Sequence, residues 1–200
     1  LYDAILSISE VNLGRILKQD SLLGRFSLNA SIQGQGLDPK KATASLKADL
    51  LGLEAMGYNY QGIQLSAEAD QGHIMAKAGS ADPNIDFDLD ADLHLQSKYP
   101  KLDLSLMIDS VNLKNLGLIK DELRYHGKLT ANLETADVDY LNGTVEVKNS
   151  SIAYNHERYT FDSIHLLATS SDSSNLLQLT SEFLNAHLVG NYRLSELSAS

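Results

Sequence analysis

The 200 residues contain no cysteine and no tryptophan, and only 3 prolines and 4 phenylalanines. Missing cysteine excludes disulfides, thiolate metal sites and cysteine nucleophiles, and is neutral on redox compartment. No stretch approaches the ~20 apolar residues of a membrane-spanning helix. Cations are scarce: 16 Lys and Arg stand against 26 Asp and Glu, a formal net charge of −10. They are also spread out, so the cationic footprint of a nucleic-acid binder is missing. Attraction to an anionic membrane surface has no basis either. No G-x-S-x-G, G-x-x-x-x-G-K-[ST] or G-x-G-x-x-G occurs, so neither a hydrolase elbow nor a nucleotide cradle is expected. Gly34-Gln35-Gly36 lacks the third glycine and reads as a turn. No signal peptide opens the chain, which starts and stops within its own pattern; the expectation is a segment of something longer.

What is present is apolar content, 43% hydrophobic residues, arranged with a period of two. Phe26, Leu28, Ala30 and Ile32 alternate with Ser27, Asn29 and Ser31. Ile85, Phe87, Leu89, Ala91, Leu93 and Leu95 alternate with Asp86, Asp88, Asp90, Asp92 and His94. The runs Leu102–Ile108 and Leu123–Leu133 repeat the pattern, as do shorter runs at Thr43–Leu50, Ile63–Asp70, Ile74–Ala78, Gly143–Lys148, Thr160–Thr169, Leu176–Glu182 and Ala186–Leu194. Successive side chains of a strand point to opposite faces, so each run predicts a strand with one dry and one wet face. About eleven such strands predict an all-β, mostly antiparallel sheet. Turn residues separate them, including Asp38-Pro39, Asp82-Pro83-Asn84, Asn142-Gly143, Asn155-His156 and the polar loop Ser170–Asn175.

The pattern is written twice. Val11-Asn12-Leu13 returns as Val111-Asn112-Leu113, Gly24-Arg25-Phe26-Ser27 as Gly127-Lys128-Leu129-Thr130, and Tyr58, Tyr60, Ile63, Leu65 and Ala67 as Tyr159, Phe161, Ile164, Leu166 and Ala168. Matches in one order at nearly one offset signal repeated units, approximately 11–110 and 111–197, within a single continuous segment 1–200. Asn12–Gln19 and Asn112–Lys120 break the alternation with leucines and isoleucines at three- and four-residue spacing. Each predicts a helical turn or two, with Asn12 or Asn112 as N-cap, covering a sheet edge or end.

Polar clusters have bland readings. Asp86, Asp88, Asp90 and Asp92 could attract Ca²⁺, but an i, i+2 spacing sets neighbouring carboxylates ~6–7 Å apart along a strand. A solvated face that resists aggregation is expected instead. No two of His73, His94, His126, His156, His165 and His187 fall at an H-x-x-x-H spacing, and His94, His126 and His165 fall on the wet face. Neither a metal site, a catalytic residue nor a cofactor is expected. The apolar stripe is different. Its bland reading is the core of a closed β-sandwich. However, each unit contains only the strands of one continuing meander, with no second complementary set. A single curved sheet must then fill its dry face with something else, and acyl chains fit an aliphatic trough. The predicted lining is Phe26, Leu28, Ile63, Leu65, Phe87, Leu89, Leu104, Leu106, Leu129, Val145, Val147, Ile164, Leu166 and Leu188.

These residues carry a resemblance. The Val-Asn-Leu entry before a leucine-rich turn (Val11–Leu17, Val111–Ile119) resembles the TamB family of the AsmA-like superfamily. So do the Gly-Lys/Arg strands at Gly24–Ala30 and Gly127–Leu133, Leu141-Asn142-Gly143-Thr144-Val145, Tyr159–Ile164 and the closing Leu188-Val189-Gly190-Asn191-Tyr192. The first unit departs from it, with Ala42-Thr43-Ala44-Ser45 where Leu141-Asn142-Gly143-Thr144 should recur. The resemblance implies an elongated β-taco groove in the periplasm of a Gram-negative envelope, its parent anchored in the inner membrane. It implies phospholipid movement to the outer membrane and a barrel partner in outer-membrane protein assembly. The leading expectation is a non-enzymatic lipid conduit whose partners are phospholipid acyl chains. The alternatives are a module binding nascent barrel strands by β-augmentation and a structural spacer repeat.

Overall fold

The computed structural model describes residues 1–19, 21–171 and 173–197; Asp172 of the polar loop and residues 198–200 of the segment lie outside the described residues. The order is β1 (Tyr2–Asn12), α1 (Leu13–Leu17), β2 (Leu23–Gln35), β3 (Thr43–Ala55), β4 (Tyr58–Tyr60), β5 (Ile63–Asp70), β6 (His73–Asp82), β7 (Ile85–His94), β8 (Lys101–Asn112), β9 (Leu123–Thr135), β10 (Asn142–Tyr154), β11 (Glu157–Ser170), β12 (Asn175–Ser181), β13 (Asn185–Gly190) and α2 (Leu194–Leu197). All thirteen strands belong to one antiparallel sheet. Strands pair in chain order, except that the short β4 and the following β5 both pair with β3. The path ends at β1 and β13, so the sheet is an open meander and no second sheet exists among the described residues. The alternating runs dictate this: each strand has one face that water rejects, and two-sided burial is available to none of them.

The sequence repeat recurs as structure. β1 through β7 have counterparts in β8 through β13, with β11 standing for β4 and β5 together. Both units bulge at the same place: an extra residue separates Ile8 from Val11 against β2, and another separates Ile108 from Val111 against β9. Both use a hairpin turn of two positive-φ residues, Met56-Gly57 (51° and 82°) and Asn155-His156 (46° and 75°), the backbone that matches the right-handed twist of paired strands. In both, the first asparagine caps the following turn. Asn12 Oδ1 accepts from Arg15 N at 2.9 Å, and Asn112 Oδ1 accepts from Asn115 N at 3.1 Å.

Several expectations are corrected. The helix expected over Asn112–Lys120 is only a run of turns. Gly117, at φ 75°, stops it one position earlier than the left-handed Lys18 stops α1. Strands β1 and β4 were not expected. β13 ends at Gly190, short of the run to Leu194, and the chain turns into α2. Its partner β12 begins at Asn175, opposite Gly190; beyond that point the Asp139 carboxylate accepts from Ser195 N at 3.0 Å and Ser195 Oγ at 2.9 Å.

Among the described residues, burial is confined to a few points. Leu116 is 1% exposed, and the other buried apolar residues are Ala42, Ala131 and Ala168. Leu116 belongs to the turn opening the second unit, and that turn docks on the first unit's β3–β4 hairpin. Tyr60 Oη donates to Leu116 O at 3.2 Å, Asn115 Nδ2 donates to Asn84 Oδ1 at 2.8 Å, and a Cβ on Gly117 would meet Met56 O at 2.0 Å.

Candidate functional site

Register carries the period-two pattern across the whole sheet. Ala4, Ile32, Leu46, Ala67, Ala76, Ala91, Leu104, Ala131, Val145, Leu166, Leu179 and Ala186 are paired successively from β1 to β13, and every one is apolar. A parallel row runs Leu6, Ala30, Ala48, Leu65, Ala78, Leu89, Leu106, Leu129, Val147, Ile164. Leu28, Ile63 and Phe87 lie one step further along their strands on this face, and Phe26 beyond Leu28. On the other side of the first row, Leu188 pairs with Leu177 in a third apolar row. All fourteen residues expected to line the apolar side therefore share one face. Most are half-buried; Leu65 and Leu188 are exposed.

The interleaved rows make the opposite face polar. One reads Ser31, Lys47, Ser66, Lys77, Asp90, Ser105, Thr130, Glu146, His165, Thr180, Asn185, with the exposed Ile5 as its apolar first member on β1. Asp86, Asp88, Asp90 and Asp92 all lie on it. They are not uniformly solvated: Asp90 pairs with Lys77 at 2.6 Å, and Asp92 meets His73 and His94. His126 Nδ1 sits 3.1 Å from Asp109 O. Sequence spacing missed the union of His73 and His94 because the pair is made by hairpin register, which an H-x-x-x-H search does not test.

The open hollows also lie on the polar side. One of about 590 Å³ is bounded by Met75, Lys77, Asp90, Asp92, Asp103 and Ser105, among others. Another of about 430 Å³ is bounded by Lys47, Asp49, Gln64, Ser66, Lys77 and Asp90, among others. A twisted sheet is saddle-shaped, so each face is concave along one diagonal and convex along the other. Both hollows open on the side opposite the expected lining.

At one end the apolar face closes with a buried polar cluster. Ser80 and Asp82 pair with Phe87 and Ile85 and are buried. Tyr58 Oη donates to Asp82 Oδ1, Asn84 N donates to the same oxygen at 2.8 Å, and Asn84 Nδ2 donates to Tyr58 Oη at 3.1 Å. Asp82 Oδ2 is buried without a hydrogen-bond partner. Burial first, and then the Asp82 hydrogen bond, hold the Tyr58 hydroxyl above the ordinary phenol range; burial does the same to Tyr60.

Among the described residues no helix is long and apolar enough to cross a membrane. Comparison with protein-family models, with curated proteins and with solved structures finds no match.

Proposed function

We propose that the apolar face is a non-enzymatic conduit for phospholipid acyl chains, in a segment of a TamB-like envelope protein that spans the periplasm between inner and outer membranes. The observation that carries this is the unbroken apolar row of twelve residues crossing an open sheet. At ~4.8 Å between strands it is about 50 Å long, and with its neighbouring rows the face projects on the order of 1,000 Å². The largest apolar patch of an ordinary monomer is about 300–600 Å². Half of a bilayer's hydrocarbon core is about 15 Å thick, so the row outlasts a single acyl chain several times. Its composition is aliphatic, with many alanines and no site of special depth. Tail methylenes gain ~0.8 kcal/mol each on burial, and similar rows from strand to strand let a chain slide without leaving a favourable surface. Headgroups stay in water.

The test is native mass spectrometry of the chain purified from a phospholipid-containing host. Co-purified phospholipid, lost when Leu104, Leu129 and Leu166 are replaced by aspartate, is expected. Consistent absence of lipid sinks the proposal. A second reading has its own support: β1 and β13 each present one unpaired edge, the template for adding a polypeptide strand. Photocrosslinkers at the apolar positions separate the two, lipid adducts supporting the conduit and peptide adducts the strand-binding module.

A further inference from the structure

His73 opens β6 and His94 closes β7, and the two pair directly across the open end of the hairpin. Asp92 lies two residues before His94, on the same face. The imidazoles stack, ring centroids 4.3 Å apart and planes 4° from parallel. A single oxygen, Asp92 Oδ1, lies 2.8 Å from His73 Nε2 and 3.0 Å from His94 Nε2. We propose that His73, Asp92 and His94 form a binding site for a divalent metal of borderline softness, with Zn²⁺ as its representative ligand. Two imidazole nitrogens and one carboxylate oxygen would hold the ion, leaving a position for water or an exogenous ligand. The site lies on the polar face and stands independently of the lipid reading.

Three observations carry it. The donor set is N₂O, which suits Zn²⁺, Ni²⁺ or Cu²⁺ and not the all-oxygen shells of Ca²⁺ and Mg²⁺. The geometry is close. Bonds of about 2.0–2.1 Å at tetrahedral angles set ligand atoms about 3.3 Å apart, and one donor atom from each of the three residues falls within 4.8 Å of the others. Exchanging the His73 hydrogen bond and the His94 ion-pair contact for metal bonds widens the 2.8 and 3.0 Å separations by tenths of an ångström. It also needs rotation of the rings about χ2, a broad torsion. Finally, the surroundings attract a cation and admit it. Asp70 pairs with His73 and Asp103 with Asp92, while the nearby Lys101 is taken up by Glu134. The three side chains are 35–44% exposed, and the site lies between two hollows: His73 borders one of about 350 Å³ and Asp92 the one of about 590 Å³. A bound ion would clamp β6 to β7 at the end of the hairpin farthest from its turn.

Titration of ZnCl₂ into the chelator-treated chain by calorimetry is expected to show one equivalent bound with micromolar or tighter Kd. His73→Ala, His94→Ala and Asp92→Asn should each weaken it at least tenfold, and His165→Ala should not. Millimolar CaCl₂ should not compete. In the unsubstituted protein, substoichiometric Co²⁺ should shift the ring resonances of His73 and His94 before those of His126, His165 and His187, a readout free of folding defects. No binding, unchanged affinity in the His73→Ala/His94→Ala double variant, or earlier shifts at another histidine would each overturn the site.

Discussion

Single residues decide where the apolar face ends. Asp82 is on the apolar face by register, and its carboxylate stays buried because Tyr58 and the Asn84 backbone donate to it. Tyr58→Phe removes the hydroxyl and leaves the carboxylate with one donor. The expected loss is about 1–3 kcal/mol, the cost of stranding a buried acceptor, measured as a lower urea midpoint with unchanged slope. The alkaline limb should respond too. Folding favours the neutral phenols of Tyr58 and Tyr60, since both groups are held above their ordinary range. Their contribution is complete below the unfolded phenol value near about 10 and is lost as pH rises through the folded one. Stability measured above about pH 10 should therefore fall less steeply in the Tyr58→Phe/Tyr60→Phe double variant than in the parent; equal slopes would exclude this linkage. Neither this cluster nor the union of His73, Asp92 and His94 was legible in the sequence. Both are made by residues distant along the chain, and a period-two pattern fixes which face a residue takes but not its neighbour on the next strand.

Among elements, the junction between units holds the large side chain buried most completely among the described residues, Leu116. The turn after β8 buries Leu116 against the preceding hairpin, whereas the equivalent residue of α1, Ile16, is 64% exposed. The same Val-Asn-Leu entry thus takes two environments, docked on a hairpin in the second unit and exposed in the first. Leu116→Ala should cost about 2–5 kcal/mol, the range for truncating a buried leucine, while Ile16→Ala should cost little. Gly117→Ala should disrupt the same junction without removing any contact, since the added Cβ would meet Met56 O at 2.0 Å and the backbone is at φ 75°. Thermal unfolding of the three variants checks the contrast; equal losses at Leu116 and Ile16 would remove the junction from the account. The asparagine caps were legible from their repeated position. The difference between a helix and a tighter turn was not, because it depends on Gly117 stopping the chain one residue early and on a docking surface some 60 residues away in sequence.

For the whole molecule, alternation alone was enough to read an all-β antiparallel meander, because thirteen strands with one dry face each have few ways to be arranged. What it left out was the length of the apolar rows, which needs the register of every pair. Those rows supply the sharpest test of the conduit. Replacing Leu129 by Asp places a charge in the row Leu106, Leu129, Val147. In a sealed core an unpaired charge costs several kcal/mol, enough to unfold a domain of ordinary stability. Leu129 is only half-buried on an open sheet, so the carboxylate can stay hydrated when no lipid is present. The folding penalty should then be small, a fall of a few degrees in Tm, where about 1 kcal/mol corresponds to roughly 2–4 °C for a chain of this size. An acyl chain moving along the row would instead meet a hydrated ion and have to leave the surface. The matched control is Ser66→Asp on the polar face, between Lys47 and Lys77, where a carboxylate finds opposite charge. The paired measurements are Tm of this chain, its co-purified lipid, and envelope integrity in cells carrying the substitution in the envelope protein proposed above. The expected outcome is a folded Leu129→Asp chain without lipid and a defective parent, beside an unaffected Ser66→Asp. Collapse of the Leu129→Asp chain would mean that the apolar face is sealed in solution. A folded Leu129→Asp chain that keeps its lipid, in a parent that works normally, would rule out transport along this row.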